Sequence, residues 1–285
     1  MFSWLASSQG QAQKPAEYAG SEICAACHAE LVKNFRRNPH QRADTRGPWK
    51  GRACEACHGP GAKHAESGAA ADILNPAKLA PARAEQTCLE CHGAEISQRW
   101  HAASAHSRNQ VACTACHTVH GQPQQLTLKA PAAANRLCSS CHVAEWAEFQ
   151  RPHAHALREG AMSCADCHDP HGGKQSGSLR IVSANEPGCL RCHADKRGPF
   201  PFEHPPVRLE GCKACHEPHG SRNPRMLTRA EVRFLCLECH SNVGSRPALG
   251  GTPPALHDLQ SPRYRNCTIC HTRIHGSFVS RGFMR

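Results

Sequence analysis

Apolar residues occur along this chain only in short runs, separated by polar, glycine and proline residues. The segments AELVKNF at 29–35 and VAEWAEF at 143–149 predict short helices, and nothing in the pattern favours an extended sheet. No stretch approaches 18 consecutive apolar residues, so the sequence predicts no membrane-spanning helix. We therefore expect a mainly irregular chain with short α-helices and little or no sheet.

Two low-complexity segments are interpreted as linkers between more structured parts. Residues 62–86 are rich in alanine and contain Pro76 and Pro81, and residues 244–254 (GSRPALGGTPP) are rich in glycine and proline. The first residues lack a basic start, but Gly10-Gln11-Ala12 resembles a signal-peptidase site. Residues 1–23 are thus expected to be an N-terminal tail, either disordered or the remnant of an export signal.

Composition changes this picture, because the chain lacks the side chains of a conventional core. Leu, Ile, Val and Phe together make up 41 of 285 residues, and the net charge is +11. That combination is normally typical of disorder. However, the chain also contains 20 Cys and 22 His, and these residues indicate what replaces the core.

All cysteines fall into ten Cys-x-x-Cys pairs, and His follows every pair immediately. A disulfide framework would explain an even number of cysteines, and zinc ribbons use paired Cys-x-x-Cys, but neither requires the histidine. Covalent c-type haem attachment requires it, since both thiols bind the porphyrin and the His ligates iron. The predicted attachment cysteines are Cys24, Cys27, Cys54, Cys57, Cys88, Cys91, Cys113, Cys116, Cys138, Cys141, Cys164, Cys167, Cys189, Cys192, Cys212, Cys215, Cys236, Cys239, Cys267 and Cys270.

The sequence therefore predicts ten c-type haems, whose macrocycles supply the apolar interior and whose attachment is coupled to folding. The predicted proximal iron ligands are His28, His58, His92, His117, His142, His168, His193, His216, His240 and His271. Twelve histidines remain, which is enough for a second imidazole on every iron.

The motifs, taken two at a time, form five dihaem units with a spacing of roughly 50 residues, which indicates a repeat architecture. These units cover residues 24–64, 88–120, 138–171, 189–219 and 236–276 within one continuous decahaem domain, 24–276. In each unit one or two His lie between the two motifs, the gap histidines, and another follows the second motif, the trailing histidine. In the last four units Gly follows the trailing His, which suits a helix C-terminus.

The choice of distal ligands follows from this pattern. Two gaps contain two candidates each, His101 or His106 and His153 or His155, and an aromatic residue six positions earlier favours His106 and His155. His101 and His153 are then ordinary packed or solvated residues. The predicted distal ligands are His40, His64, His106, His120, His155, His171, His204, His219, His257 and His275.

Iron with two imidazoles has no open position for a substrate, so this ligand set favours electron transfer over catalysis. The positive charge does not indicate nucleic-acid binding, because the propionates of ten haems roughly offset it.

With these motifs in place, the chain resembles the MtrA/DmsE-type decahaem cytochromes of bacterial porin–cytochrome conduits. The resemblance covers about residues 24–276, and its more specific parts are GPFPFEHPPVRLEGCKACHEPHGSRNPRML at 198–227 and CTICHTRIHGS at 267–277; CADCHDPHGG at 164–173 also fits. The resemblance implies an elongated rod, often seen as two pentahaem halves, with bis-His coordination throughout. It also implies a periplasmic location inside an outer-membrane β-barrel porin.

The implied partners are that porin, a periplasmic or inner-membrane electron donor or acceptor, and an outer-surface multihaem cytochrome. The main hypothesis is thus an electron carrier across the outer membrane, for metal reduction or iron oxidation, and not an enzyme. A soluble shuttle, a cytochrome filament and a multihaem reductase are the alternatives. The reductase alternative is weakened because the Cys-x-x-Cys-Lys motif of pentahaem nitrite reductases is absent.

Overall fold

The computed structural model describes residues 17–96, 98–120, 128–181, 186–240, 257 and 262–284. The chain forms two compact bodies, an N-terminal body of residues 1–128 and a C-terminal body of residues 129–285. The predicted linker at 244–254 and the possible signal remnant up to residue 16 lie outside the described residues.

The N-terminal body consists of short helices. They are α1 (Ser21–Cys27), α2 (Ala29–Phe35), α3 (Arg42–Thr45), α4 (Glu55–His58), α5 (Ala62–Ser67), α6 (Pro81–His92), α7 (Gln98–Ala102), α8 (Ala105–Arg108) and α9 (Cys113–Cys116). Single 3₁₀ turns lie at Pro39–Gln41, Gly47–Trp49, Ala70–Asp72 and Pro76–Lys78. The predicted helix AELVKNF is confirmed as α2.

The C-terminal body has fewer α-helices and more 3₁₀ turns. Its helices are α10 (Pro131–Ser139), α11 (Val143–Glu148), α12 (Cys164–Cys167), α13 (Pro205–Leu209) and α14 (Val232–Leu237). Its 3₁₀ turns are Ser176–Ser178, Gly188–Arg191, Ala194–Lys196, Cys212–Ala214, Pro224–Met226, Pro262–Tyr264 and Cys267–Ile269. Helix α11 confirms the second predicted helix, VAEWAEF, except for its last residue.

Each Cys-x-x-Cys-His motif forms, or lies at the end of, one helical turn. The backbone N–H of the motif histidine donates to the carbonyl of the first cysteine, for example from His28 to Cys24 at 2.9 Å and from His271 to Cys267 at 2.9 Å. Because residues three and four apart share a helix face, the two thiols and the imidazole of one motif lie together. The local fold thus forms the attachment site.

Sheet is confined to isolated two-residue bridges in the part of the chain that the structure describes, as predicted. The buried apolar residues there are only Ala53, Ala84, Ala134, Phe149 and Leu157. None of the helices in these ranges is long and apolar enough to cross a membrane. The aliphatic core of the described residues is therefore small, in line with the composition.

The interpretation of residues 62–86 as a linker is wrong. This segment contains α5, two 3₁₀ turns and the start of α6. Directly before it, Gly61 donates its backbone N–H to the buried carboxylate of Glu55, which also accepts from the N–H groups of Ala19 and Gly20, at 2.7–3.0 Å. The alanine-rich composition suggested a linker because Glu55, whose carboxylate anchors the start of this segment, lies outside it in the sequence.

Candidate haem-binding sites

The cysteines of neighbouring motifs contact one another in a regular pattern. In every dihaem unit the thiols of the first cysteines of the two motifs lie close enough to shift a thiol pKa: Cys24 with Cys54, Cys88 with Cys113, Cys138 with Cys164, Cys189 with Cys212 and Cys236 with Cys267. The pKa of Cys24 is raised to about 11, first by burial of the thiol and then by the charge of Cys54. The two attachment sites of a dihaem unit are therefore direct neighbours.

Attachment sites of successive dihaem units are also close within each body. The pKa of Cys57 is raised by burial and then by the charge of Cys91, and that of Cys215 by burial and then by Cys239. The pKa of Cys167 is likewise raised, first by burial and then by the charge of Cys189. Within each body, the attachment sites thus follow one another in sequence order.

Eight motif histidines face a second histidine. The pairs, with their ring-centroid distances, are His28–His64 (6.3 Å), His58–His120 (5.7 Å), His92–His40 (5.9 Å), His168–His219 (6.1 Å), His193–His155 (6.3 Å), His216–His275 (6.3 Å), His240–His204 (6.2 Å) and His271–His257 (6.3 Å). Every pair joins one motif histidine to one of the predicted distal ligands.

These distances fit an iron held between two imidazoles. A metal–nitrogen bond of about 2 Å on each side places the centroids of two opposed imidazole rings about 6 Å apart. The residues present therefore match the donor set of bis-His haem.

The pairs follow a reciprocal rule within each body. A gap histidine faces the first motif of the next dihaem unit, as in His40–His92 and His204–His240. A trailing histidine faces the second motif of the preceding unit, as in His120–His58. The exceptions are at the ends of the repeat array, where His64 and His257 each face a motif of their own unit.

The pairing of the predicted distal ligands His106 and His171, and of motif residues His117 and His142, stays a prediction. His101 is buried, with its Nε2 3.3 Å from a carboxylate oxygen of Glu85.

Hydrogen bonds at Nδ1 orient these imidazoles. The Nδ1–H of His58 donates to the carbonyl of Leu74 at 2.7 Å, that of His168 to Gly177 at 2.7 Å and that of His216 to Arg225 at 2.9 Å. Since a carbonyl can only accept, the proton lies on Nδ1 and the lone pair on Nε2. This tautomer is the one that binds iron through Nε2.

Burial keeps several distal imidazoles in the neutral form. The pKa values of His40, His120 and His204 are lowered, first by burial and then by the charge of the paired motif histidine. The pKa of His275 is also lowered, first by burial and then by Lys196. A neutral imidazole is the form that ligates iron, so the environment favours ligation.

Two trailing histidines are positioned by a short backbone bridge, which we call the clip. Ser221, two residues after His219, exchanges two backbone hydrogen bonds with His153, two residues before His155. Ser277, two residues after His275, does the same with Phe202, two residues before His204. Each clip thus holds one gap and one trailing histidine, and it assigns a backbone role to His153.

The glycines after the trailing histidines do not end helices, which corrects the expectation from the sequence. Gly172, Gly220 and Gly276 are the last residues of β-turns, with N–H to carbonyl bonds to Asp169, Glu217 and Arg273. Their φ values are 102°, 140° and 146°, which disfavour other residues. A Cβ on Gly220 would also overlap the carbonyl oxygen of Glu148. Gly121 lies outside the described residues.

Sequence reasoning missed the clip serines, although both follow the trailing histidine as His-Gly-Ser. Ser221 and Ser277 are 1% and 2% exposed. The Ser221 hydroxyl donates to the carbonyl of Leu227 at 2.7 Å, and so supports the turn from inside. The repeated His-Gly-Ser triplet was the available signal.

The twenty cysteines, all within the described residues, form no disulfide bonds, and each Cys-x-x-Cys pair lies on the same short turn as its histidine. Together with the histidine pairs, these features define the class as a multihaem c-type cytochrome. Residues 155–198 and 204–245 match the family model for the doubled CXXCH motif, and residues 54–132 match that for the NrfB-like cytochrome c-type protein.

A match over most of the chain narrows this class. The sequence is 36% identical over 267 residues to the multihaem cytochrome MtrA of Shewanella baltica strain OS185, covering 90% of this chain and 78% of that protein. The chain therefore belongs to the MtrA family of multihaem cytochromes and carries c-type haems on its CxxCH motifs.

Proposed function

We propose that this protein conducts electrons along a chain of ten bis-His haems across an outer membrane, inside a β-barrel porin. On this proposal, the ten motif histidines and the ten predicted distal histidines are the axial ligands, and the twenty cysteines are the attachment sites. The haems supply the one-electron chemistry. The residues of the chain set the distances between the haems and hold the axial ligands in place. With both axial positions occupied, the iron has no position for a substrate.

The observation that carries the proposal is the pairing of motif and distal histidines at 5.7–6.3 Å in eight sites. Two fixed imidazoles leave no coordination position for a substrate, which favours electron transfer over reduction of a small molecule. Retaining the same ligands in both oxidation states also keeps reorganisation small.

The contacts between cysteines support a chain of haems that follows the sequence order within each body. The attachment sites of each dihaem unit adjoin through a thiol pair, as at Cys88 and Cys113, and successive units approach through residues such as Cys57 and Cys91. Such an order suits a chain of cofactors that exchange electrons with their neighbours.

Location and partners extend the proposal. A haem-packed protein with a charged, polar exterior could enter a bilayer only inside a closed sheath, which a β-barrel provides. We therefore place the protein in the periplasm, associated with an outer-membrane porin. A periplasmic or inner-membrane electron donor or acceptor and an outer-surface multihaem cytochrome would complete the path, for metal reduction or iron oxidation.

Extraction of native membranes in mild detergent tests this proposal. We expect haem absorbance to co-migrate with a β-barrel protein in a one-to-one ratio, and the complex in liposomes to pass electrons to an oxidant enclosed in the lumen. The barrel alone is the matched control and should pass none. Haem emerging alone in the soluble periplasm would contradict the conduit and favour a shuttle. Fibres in micrographs would favour a filament.

A further inference from the structure

In the C-terminal body, His219 differs from the neighbouring imidazoles of His155, His168 and His216 in the group that accepts its Nδ1–H. Most acceptors are neutral, such as the carbonyl of Pro218 for His155 at 2.8 Å. The Nδ1–H of His219 instead donates to a carboxylate oxygen of Glu148 at 3.1 Å. His219 and His155 lie in the same clip, so two adjacent sites differ in a defined way.

The carboxylate is held in place by groups remote in sequence. Glu148 is the last residue of α11, and it meets His219 from 71 positions away. Its second oxygen accepts from Arg151 at 3.4 Å, and Arg151 also donates to the carbonyl of Gly220 at 2.8 Å. Phe149 packs against the His219 ring, with centroids 5.1 Å apart. The ring and its acceptor are thus fixed together.

Other carboxylates near axial imidazoles are less constrained. Glu95 accepts a hydrogen bond from His92 at 2.9 Å, but the Glu95 side chain is 77% exposed. The two residues are only three positions apart in the sequence, so no distant segment holds the carboxylate in place. Glu145 is 3.7 Å from Nδ1 of His142, and Asp169 is 3.9 Å from that of His171, beyond hydrogen-bond length. Of these carboxylates, Glu148 is therefore the one held most rigidly at hydrogen-bond distance from an axial imidazole.

A carboxylate acceptor changes the donor strength of the imidazole. A negative acceptor draws the Nδ1 proton towards itself, which makes Nε2 a stronger donor and stabilises ferric over ferrous iron. A backbone carbonyl has this effect much more weakly, because it carries no net charge. The carboxylate therefore lowers the reduction potential of the iron that His219 ligates, and the positive charge of Arg151 on its other oxygen reduces the size of this effect.

We propose that Glu148 is a positioning residue that holds the haem attached at Cys164 and Cys167 at a lower potential than the neighbouring haem attached at Cys189 and Cys192. The proposal rests on the proposed function, because it takes His168–His219 and His193–His155 as the axial pairs. It places a step in potential within a single clip, between two sites whose distal ligands differ in their acceptor.

Glu148→Gln in the holoprotein tests the proposal. The amide oxygen can still accept the hydrogen bond from His219, so the imidazole keeps its orientation while the negative charge is lost. We expect one of the ten one-electron steps in a spectroelectrochemical titration to shift upward by about tenfold in its equilibrium constant, which is about 59 mV. The g-values of one low-spin haem in the electron paramagnetic resonance spectrum should change with it.

Glu159→Gln is the matched control, because it removes the same charge from a carboxylate paired with Arg158 at 3.4 Å. It should leave all ten steps in place. Unchanged steps in Glu148→Gln, or an equal shift in the control, would overturn the proposal. A new high-spin haem in Glu148→Gln would also overturn it, since Glu148 would then be needed for ligation rather than for tuning.

His219→Ala separates this proposal from the underlying ligand assignment. One high-spin haem in that variant supports the assignment and identifies the affected step. If all haems remain low-spin in His219→Ala, the axial pair itself is wrong, whatever Glu148→Gln shows.

Discussion

At the scale of single residues, paired imidazoles are the feature on which the proposed haem coordination depends. His120 faces His58 with ring planes 8° apart and centroids 5.7 Å apart. Its neighbour in sequence, Val119, accepts a hydrogen bond from the Asn38 side chain, so a distant segment fixes the ligand-bearing loop. Asn38 also accepts from the Nδ1–H of His40 at 3.0 Å. Two distal ligands are therefore positioned by one amide side chain.

His120→Ala should convert one haem of ten from low-spin to high-spin, because the iron loses one of two imidazoles. Electron paramagnetic resonance of the oxidised protein, and carbon monoxide binding to the reduced protein, measure this change. His153→Ala is the control, since His153 contributes its backbone to the clip, and it should keep every haem low-spin. Ten low-spin haems in His120→Ala would refute the ligand assignment.

Gly220→Ala should destabilise the C-terminal body. A side chain at φ 140° costs about 1–3 kcal/mol in backbone strain, and overlap with the Glu148 carbonyl adds about 1–3 kcal/mol. Gly211→Ala is the control, because a Cβ there meets nothing within 4 Å and only the strain at φ 80° remains. The midpoint of thermal unfolding measures both. Equal loss in the two variants would show that the contact with Glu148 has no energetic weight.

At the scale of elements, short turns are stabilised by buried polar side chains rather than by apolar faces. Asn135 of α10, 2% exposed, donates to the carbonyls of Leu157 and Met162 and accepts from the N–H of Cys164. Glu55 has the same function in the N-terminal body, where it joins the chain before α1 to α4 and α5. These two side chains hold attachment motifs in place.

Glu55→Gln should lower the free energy of unfolding of the holoprotein by about 1–3 kcal/mol. The amide nitrogen would face a backbone N–H in place of an acceptor, and the charge-assisted hydrogen bonds would be lost. Denaturant unfolding followed by circular dichroism measures the change. Glu30→Gln, which removes only an exposed ion pair with Lys33 at 3.5 Å, should cost less than about 1 kcal/mol. A neutral Glu55→Gln would mean that this carboxylate does not stabilise the body.

At the scale of the whole molecule, the apolar interior must come from the cofactors. Five buried apolar residues in the described ranges, three of them alanines, cannot offset the conformational entropy of 285 residues. Folding is therefore expected to require covalent haem attachment, as metal binding is required by small metal-dependent domains.

The chain produced without haem attachment should be unfolded. Its far-ultraviolet circular dichroism should lack helical signal, and limited proteolysis should degrade it where the holoprotein resists. The holoprotein at the same concentration is the reference. A protease-resistant, helical apoprotein would show that the side chains alone suffice, and would contradict this account of the core.

The haem-attachment sites were predictable because a motif of five residues is complete within one helical turn. The helices after Cys27 and Cys141 were predictable for the same reason, since local patterns determine them. The turn at Gly220 was assigned wrongly because positive φ serves both helix ends and β-turns, and the hydrogen bond from the Gly220 N–H to the carbonyl of Glu217 is what identifies a β-turn. The linker assignment failed because Glu55 acts from outside the segment.

The sequence by itself determined the number and place of the attachment sites, the cofactor and the supply of second ligands. Tertiary structure alone decided which distal histidine faces which motif, because partners such as His40 and His92 are far apart in sequence and only contacts between distant segments, such as that of Asn38 with Val119, bring them together. It also decided which imidazole meets a carboxylate, since Glu148 and His219 are brought together only by packing. Covalent attachment is a local property of a helical turn, whereas coordination and potential depend on long-range contacts.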